Sequence, residues 1–318
     1  MDVSIIIVNY NTSKLLSNCL NSIYDQTKDI SFEVIVSDNG STDGSIEMLK
    51  ADFPQVILIE NNANLGFGAA NNRGLAITKG KYIFYLNSDT ILLNNAVKCF
   101  YDYWEENGEK ENLGALGCIL QNNEGKQVLS GGSFLGNNSN FKLLKNQLYF
   151  ILSSYYKAIK HYLLGYKLKP LQTNTNKTIN QQTGFIDSII GADLFLKNDD
   201  FAKFDEKYFM YCEEVDLQYQ MYKNGLNRKL ISTPQIIHLE GCSSNKEIIE
   251  VIDLASLSKI NDTISRLYFL KKNKLKKIRF FIIQITAFIL WLNPLLFSKT
   301  KSYIKFLFAP EKRNKNCI

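Results

Sequence analysis

The chain has 318 residues, 45% hydrophobic and 21% charged, with a net charge of +6. Such a composition is globular and excludes disordered, collagen-like and disulfide-scaffold classes, and the length gives one large domain or a domain with appendages. The charge is uneven: from Lys271 onward twelve Lys/Arg stand against one acid, Glu311, so residues 1–270 are net −5. A mildly acidic body with a basic tail points the tail toward anionic lipid or nucleic acid.

Residues 3–8 (VSIIIV) are a β-branched run that predicts a strand buried on both faces of a parallel sheet. A polar turn from Asn9 to Thr12 follows, then apolar residues at helical spacing from Leu15 to Ile23. Residues 32–37 predict a second strand, ending in the turn cluster Asp38-Asn39-Gly40-Ser41-Thr42-Asp43-Gly44. A helix from Ile46, a strand over 56–59, a helix over 67–78 and a strand over 81–86 complete the alternation. That order predicts a parallel sheet with right-handed crossovers and helices on both faces. Polar residues fall after the strands, at Tyr10, Asp38, Asn64 and Asp89, where open α/β folds bind ligands.

The fourth strand runs directly into Asn87-Ser88-Asp89. One hard carboxylate between small polar neighbours suits Mg2+ or Mn2+ bridging a diphosphate, because these ions use few protein carboxylates plus phosphate oxygens. The same residues also read as a strand-end turn with Asp89 capping a helix. Gly66 and Gly68 let a helix N-terminus approach a phosphate or ribose, or serve close helix–strand packing. The stretch GFGAAN matches only half of GxGxxG and no Walker pattern is present, which speaks against a dinucleotide dehydrogenase.

Further on, residues 113–120 predict a strand, and 141–166 mix Leu, Tyr and Phe with lysines. The latter reads as an amphipathic helix with snorkelling lysines or as a core helix with a solvated face. Residues 186–196 return to strand character, with Gly191-Ala192-Asp193 small enough to leave room for an acceptor or donor sugar. Glu213, Glu214 and Asp216 fall in the first turns of a helix that Asn224-Gly225 ends. The helix dipole favours carboxylates there, and crowding behind an aromatic run would also lift one toward a general base. His238, near the end of a strand over 235–239, is a structural histidine or a partner of Asp89 in a metal site. Residues 280–297 carry no charge but contain Trp291 and Pro294 between flanking lysines. They read as an interfacial segment, one membrane span or a soluble core helix. Six scattered cysteines without a CxxC pair are expected to be reduced thiols of a cytoplasmic protein, and no signal-peptide pattern precedes Val3.

Seven stretches in order are VSIIIVNYN, EVIVSDNGSTDGS, NLGFGAANNRGL, YIFYLNSDT, GADLFL, FDEKYFMYCEEVDL and the run from Pro234 to Ser243. With them the chain resembles family 2 glycosyltransferases of the GT-A fold, in particular rhamnosyltransferase-like members of bacterial cell-surface polysaccharide pathways. The likeness covers residues 3–244 and continues more weakly to about 273. It implies an α/β, Rossmann-like, mostly parallel sheet with helices on both faces and a C-terminal helical, membrane-associating tail. Residues 1–244 would be the GT-A domain, with a nucleotide-binding half (1–105) and an acceptor-binding half (106–244) carrying an amphipathic insert (141–168). The tail would be 245–318.

By the same resemblance, Val8, Tyr10, Asp38, Asn64, Gly68, Asn87, Ser88 and Asp89 bind the donor, with Tyr10 and Asp38 lining the nucleobase and ribose pocket. Asn87-Ser88-Asp89 stands for the DxD motif, whose last Asp binds Mg2+ or Mn2+, and His238 completes the metal or diphosphate site. Gly191, Ala192 and Asp193 bind the acceptor. The family has Glu-Asp-Val-Asp-Leu where this chain has Glu213-Glu214-Val215-Asp216-Leu217, so the base position is Glu214, one methylene longer, with Glu213 and Asp216 as alternatives. The QxxRW signature of processive synthases is absent, which implies transfer of a single sugar. The implied donor is dTDP-rhamnose, or else a UDP-hexose or UDP-N-acetylhexosamine. The implied acceptor is a lipid-linked saccharide at the inner face of the cytoplasmic membrane. A sugar-nucleotide-binding protein without turnover is the other reading of the altered base. Nucleic acid is not an expected partner, since the tail mixes its lysines with an uncharged apolar run.

Overall fold

The computed structural model describes residues 1–134, 179–239 and 257–275, with scattered helical residues between 149 and 164. The chain forms two compact units: Met1–Phe134 with Asn176–Glu206 and Glu213–Asn245, and Leu135–Thr175 with Lys207–Cys212 and Lys246–Ile318.

The first unit opens with β1 (Val3–Asn9), α1 (Ser13–Gln26), β2 (Phe32–Asp38), α2 (Ser45–Asp52), β3 (Ile57–Glu60), α3 (Phe67–Leu75) and β4 (Tyr82–Asn87). It continues with β5 (Thr90–Leu92), α4 (Ala96–Asn107), β6 (Leu113–Cys118), β7 (Gly131–Gly132), β8 (Gly184–Phe185), β9 (Ser188–Ile189) and β10 (Asp193–Lys197). It closes with α5 (Glu213–Lys223), β11 (Asn227–Ile231) and β12 (Ile236–His238). An eight-stranded sheet has the order β3-β2-β1-β4-β10-β6-β11-β8. Its first four strands pair in parallel, β10 is antiparallel to both neighbours, and β11 is parallel to β6. The sheet is therefore mixed but mostly parallel. From β1 the chain steps outward to β2 and β3, then returns to β4 on the other side. The strand order reverses between β1 and β4, and the crevice at such a reversal is where open α/β sheets take ligands.

The continuous apolar runs explain which strands are central. Ile5, Ile6 and Ile7 of β1 and Ile83, Phe84 and Tyr85 of β4 are fully buried, as strands covered on both faces must be. Phe100 of α4 packs 5.3 Å from Phe84 and 5.4 Å from Phe195 of β10, ring centroid to centroid. Each buried phenylalanine contributes about 2–3 kcal/mol. Gly80, just ahead of β4, is required by space: a Cβ there would lie 2.4 Å from the Ser4 amide nitrogen.

Two expectations change. Residues 186–196 are not one strand: β9 pairs with β7, and β10 joins the large sheet between β4 and β6. The break falls at Ile190–Ala192, where a glycine weakens the strand and lets the chain change sheets. Asp89 is followed by the strand β5, which pairs antiparallel with β12. No helix begins at Asp89, so it caps none.

In the second unit, α6 (Leu257–Lys272) buries Ile264, Ser265, Leu267, Phe269 and Leu270. Residues 280–297 and most of 141–168 lie outside the described residues. Among the described residues no helix is long and apolar enough to cross a membrane. Cys19, Cys99 and Cys118 are free thiols.

Candidate active site

The turn after β2 is built around Asp38. Its Oδ1 accepts from the Gly40 and Ser41 amides at 3.0 and 2.8 Å, and its Oδ2 from Ser41 Oγ and Asn9 Nδ2, both at 2.7 Å. The carboxylate is fully buried, and its hydrogen bonds hold the turn against the end of β1. Asn9 also accepts from Thr12 Oγ1 at 2.6 Å, and that hydroxyl lies 2.9 Å from Ser88 Oγ. A polar chain thus runs along the carboxyl edge from Asp38 through Asn9 and Thr12 to Ser88. Val8 is paired in register with Asn87, and Tyr10 stands 39% exposed in the loop beyond β1.

Asn39 joins this edge to the next loop. Its Nδ2 donates to Asn64 Oδ1 and to the Gly66 carbonyl, each at 3.3 Å, and its Oδ1 accepts from Asn61 Nδ2 at 3.1 Å. Asn9, Thr12, Asn39 and Asn61 are not among the residues singled out from sequence. Their signal was the asparagine-bearing turns at the ends of β1, β2 and β3, three strands that lie side by side.

Asp89 and His238 meet although far apart in sequence. Asp89 Oδ1 is 3.3 Å from His238 Nε2, and both side chains are about nine-tenths buried. The β5–β12 pairing is the cause, because it sets His238 opposite Thr90 and lets the Leu239 amide donate to the Asp89 carbonyl at 2.9 Å. The Asn87 amide donates to the Ala192 carbonyl at 3.0 Å, so the 191–193 stretch abuts Asn87-Ser88-Asp89 directly.

The acids of α5 come in from a third direction. A Cβ on Gly191 would stand 3.5 Å from the Phe67 ring and 3.7 Å from Glu214 Cβ, and one on Gly68 would stand 3.6 Å from Glu213 Cβ. Glycine at 191 therefore keeps open a space between an aromatic ring and the Glu214 side chain. Glu213 is 4% exposed and Asp216 2%, whereas Glu214 is only partly buried. Gln218, fully buried one turn later, clamps the helix to β9. Its Nε2 donates to the Ile189 carbonyl at 2.7 Å, and its Oε1 accepts from the Ile189 amide at 2.8 Å. Gln218→Leu leaves both buried Ile189 groups without these partners and is expected to cost about 2–4 kcal/mol. Urea denaturation of variant and parent measures it, and an unchanged midpoint would refute the clamp.

Asp193 is fully buried at the start of β10. Its Oδ2 accepts from the Cys118 amide at 2.7 Å, and its Oδ1 has no hydrogen-bond partner among the described residues. Burial pushes its carboxyl from 3.8 up to about 7, with the Cys118 amide and thiol and His238 opposing. The folded state therefore binds this proton more tightly than the unfolded chain does. The associated stability is complete below about pH 4 and is lost as pH rises to about 7. Against Asp193→Asn, the parent is expected to lose about 4 kcal/mol across that window. Denaturation of both proteins at pH 4.5 and 7.5 checks it, and parallel behaviour would show that Asp193 titrates normally.

Comparison with known proteins identifies the family. The sequence profile of Glycosyl transferase family 2 matches residues 4–165. The chain belongs to glycosyl transferase family 2. Among family relatives, the poly(ribitol-phosphate) beta-glucosyltransferase of Bacillus spizizenii is 36% identical over 121 residues, 36% of this chain and 19% of that protein. The glycosyltransferase YfnE of Bacillus subtilis is 27% identical over 286 residues, 79% of this chain and 68% of that one. The chain thus spans only about a fifth of the first of these relatives. Among solved structures, the mannosyltransferase PcManGT from Pyrobaculum calidifontis, in complex with GDP-Man and Mn2+, has a TM-score of 0.52 at 15% identity. That match covers 96% of this chain and 75% of that one and is a likeness of fold.

Proposed function

We propose that the chain is an inverting, divalent-metal-dependent glycosyltransferase that moves one sugar from a nucleotide-sugar donor to a saccharide acceptor. The observation that carries this reading is the convergence, at the strand reversal, of the Asp38–Asn9–Thr12–Ser88 network, the Asp89–His238 pair and the Gly191–Glu214 space.

Asp89 and His238 would hold Mg2+ or Mn2+. Among the described residues no third acidic, histidine or cysteine side chain joins them. With one carboxylate and one imidazole from the protein, most of the ion's ligands would have to come from the donor and from water. When bound, the ion offsets the charge that develops on the leaving nucleoside diphosphate. Tyr10, Asn64 and Gly68 border the donor side, and the Asp38 carboxylate fixes the backbone there. Glu214, the least buried of the three acids, takes the proton of the acceptor hydroxyl while that oxygen attacks the anomeric carbon. A glycosidic C–O bond forms, the C–O bond to the diphosphate breaks on the opposite face, and the configuration inverts. Holding both sugars in line supplies much of the remaining acceleration.

The donor is read as dTDP-rhamnose from the ordered motifs. The similarity to a glucosyltransferase favours a UDP-hexose as the second reading. The acceptor is read as a lipid-linked saccharide at the inner face of the cytoplasmic membrane, on the strength of the basic tail and its uncharged run at 280–297. Titration calorimetry with dTDP, UDP, GDP and NAD, each with Mn2+ and with EDTA, tests the core of this. Metal-dependent binding of one nucleoside diphosphate is expected. Binding of NAD, or binding indifferent to metal, would overturn the reading. A protein that binds its nucleotide-sugar but releases no nucleoside diphosphate would be a binding protein with an idle base.

A further inference from the structure

The helical residues between 149 and 164 leave a row of apolar side chains in solvent. Tyr149, Leu152, Tyr156, Ile159 and Leu163 are between 55% and 76% exposed, and each described residue of this stretch is helical. Their spacing of three and four residues puts all five within about 80° of one another around the helix axis. Apolar side chains scattered singly over a surface are ordinary, but a continuous exposed stripe marks a contact surface.

The charge around the stripe decides its occupant. Over 135–175 the sequence holds six lysines and no Asp or Glu. Lys160 Nζ stands 4.8 Å over the Tyr156 ring, so a cation borders the apolar face, as where long basic side chains snorkel to a polar boundary. Two of the five stripe residues are tyrosines, whose ring and hydroxyl suit the level between acyl chains and headgroups. The same spacing would serve a coiled-coil seam, but a second copy would bring lysines against lysines with no acid in the stretch to pair them. An anionic bilayer surface satisfies both the stripe and the lysines.

We propose that residues 149–164 form an interfacial helix that docks the protein on an anionic phospholipid bilayer. Leu152, Tyr156, Ile159 and Leu163 enter the boundary between headgroups and acyl chains, and the lysines meet lipid phosphates while the helix lies in the membrane plane. This surface is distinct in sequence from the basic tail, which is the part of the chain read above as membrane-seeking. Its use in transfer rests on the reading of a lipid-linked acceptor, since an enzyme held at the bilayer meets such an acceptor there.

The test uses the full-length chain beside three variants: a stripe variant (Leu152→Glu, Ile159→Glu and Leu163→Glu together), a lysine variant (Lys157→Glu with Lys160→Glu) and a tail variant (Lys276→Glu, Lys277→Glu and Arg279→Glu together). Three quantities are read: co-sedimentation with vesicles of phosphatidylcholine alone or mixed with phosphatidylglycerol, amide exchange over 149–164 with and without vesicles, and mass by sedimentation velocity without them. The parent should bind phosphatidylglycerol vesicles at least tenfold more tightly than neutral ones, and exchange over 149–164 should slow at least tenfold on binding. The stripe variant should lose at least tenfold in vesicle affinity with its thermal melt unchanged. The lysine variant should lose the preference for phosphatidylglycerol, and it stands in if the stripe variant does not fold. The tail variant should keep the slowed exchange over 149–164. No vesicle binding by the parent, full binding by the stripe variant, or exchange that vesicles leave unchanged overturns the proposal. A parent dimer that the stripe variant splits overturns it in favour of a second copy. Binding of Mn2+-nucleotide, measured without lipid, reads the transferase site separately: its absence in the parent would remove the transferase reading and leave the docking surface standing.

Discussion

Asp89→Ala is expected to abolish metal-dependent nucleotide binding and to lower transfer by about a thousandfold, equivalent to roughly 4 kcal/mol of transition-state stabilisation. The size follows from the composition of the site. Asp89 Oδ1 lies 3.3 Å from His238 Nε2, and no group of three acidic, histidine or cysteine side chains is placed to hold a metal among the described residues. The fold should survive, because Asp89 lies in a turn whose backbone is still held by the Leu239 amide and the β5–β12 pairing. His238→Ala should be milder, since the carboxylate remains. Calorimetry with Mn2+ and with EDTA, beside a thermal melt, measures both effects. Metal-dependent binding retained in Asp89→Ala would move the metal elsewhere.

Glu214→Gln is expected to reduce turnover by about 10²–10⁴-fold, the usual worth of a positioned general base, with nucleotide affinity unchanged. Glutamine keeps the shape and the hydrogen-bonding reach but cannot accept the proton. The companion variants carry the discrimination. Glu213 and Asp216 are almost fully buried, so Glu213→Gln and Asp216→Asn should act mainly on stability, shifting the melt more than the turnover per folded molecule. If Asp216→Asn alone abolished turnover at constant Kd, the base would be Asp216. Turnover against pH for the parent and Glu214→Gln adds a further check: the acidic limb should disappear in the variant.

Much of the run from β1 to β4 was legible in the sequence because its signals are local. Unbroken apolar runs marked β1, β2 and β4, and turn clusters at their ends marked the carboxyl edge. What the sequence did not show depends on long-range pairing. Nothing local to residues 186–196 distinguishes one strand from two, since the division depends on β9 meeting β7 and β10 entering between β4 and β6. Gln218 reads as an ordinary helix-surface residue until β9 is seen beside it. Asp38 illustrates the opposite case: its position was marked, but its four hydrogen bonds into the protein appear only when β1 and the turn are assembled. The tail and the apolar insert were read from charge and hydropathy, and those stretches lie largely outside the described residues.

The insertion of β10 beside β4 also sets an order in time. During synthesis the first four strands and the loops at their carboxyl ends can pair as they emerge, but the open side of β4 waits for β10, and Asp89 waits for β12. At about 5–20 residues per second, the ribosome needs on the order of ten seconds to travel from Asp89 to His238. Until β10 emerges the nascent chain presents the apolar edge YIFYL unpaired, the kind of edge that recruits other strands. Chains released before β10 should therefore be the aggregation-prone species, and chaperone demand should fall steeply once residue 197 has cleared the tunnel.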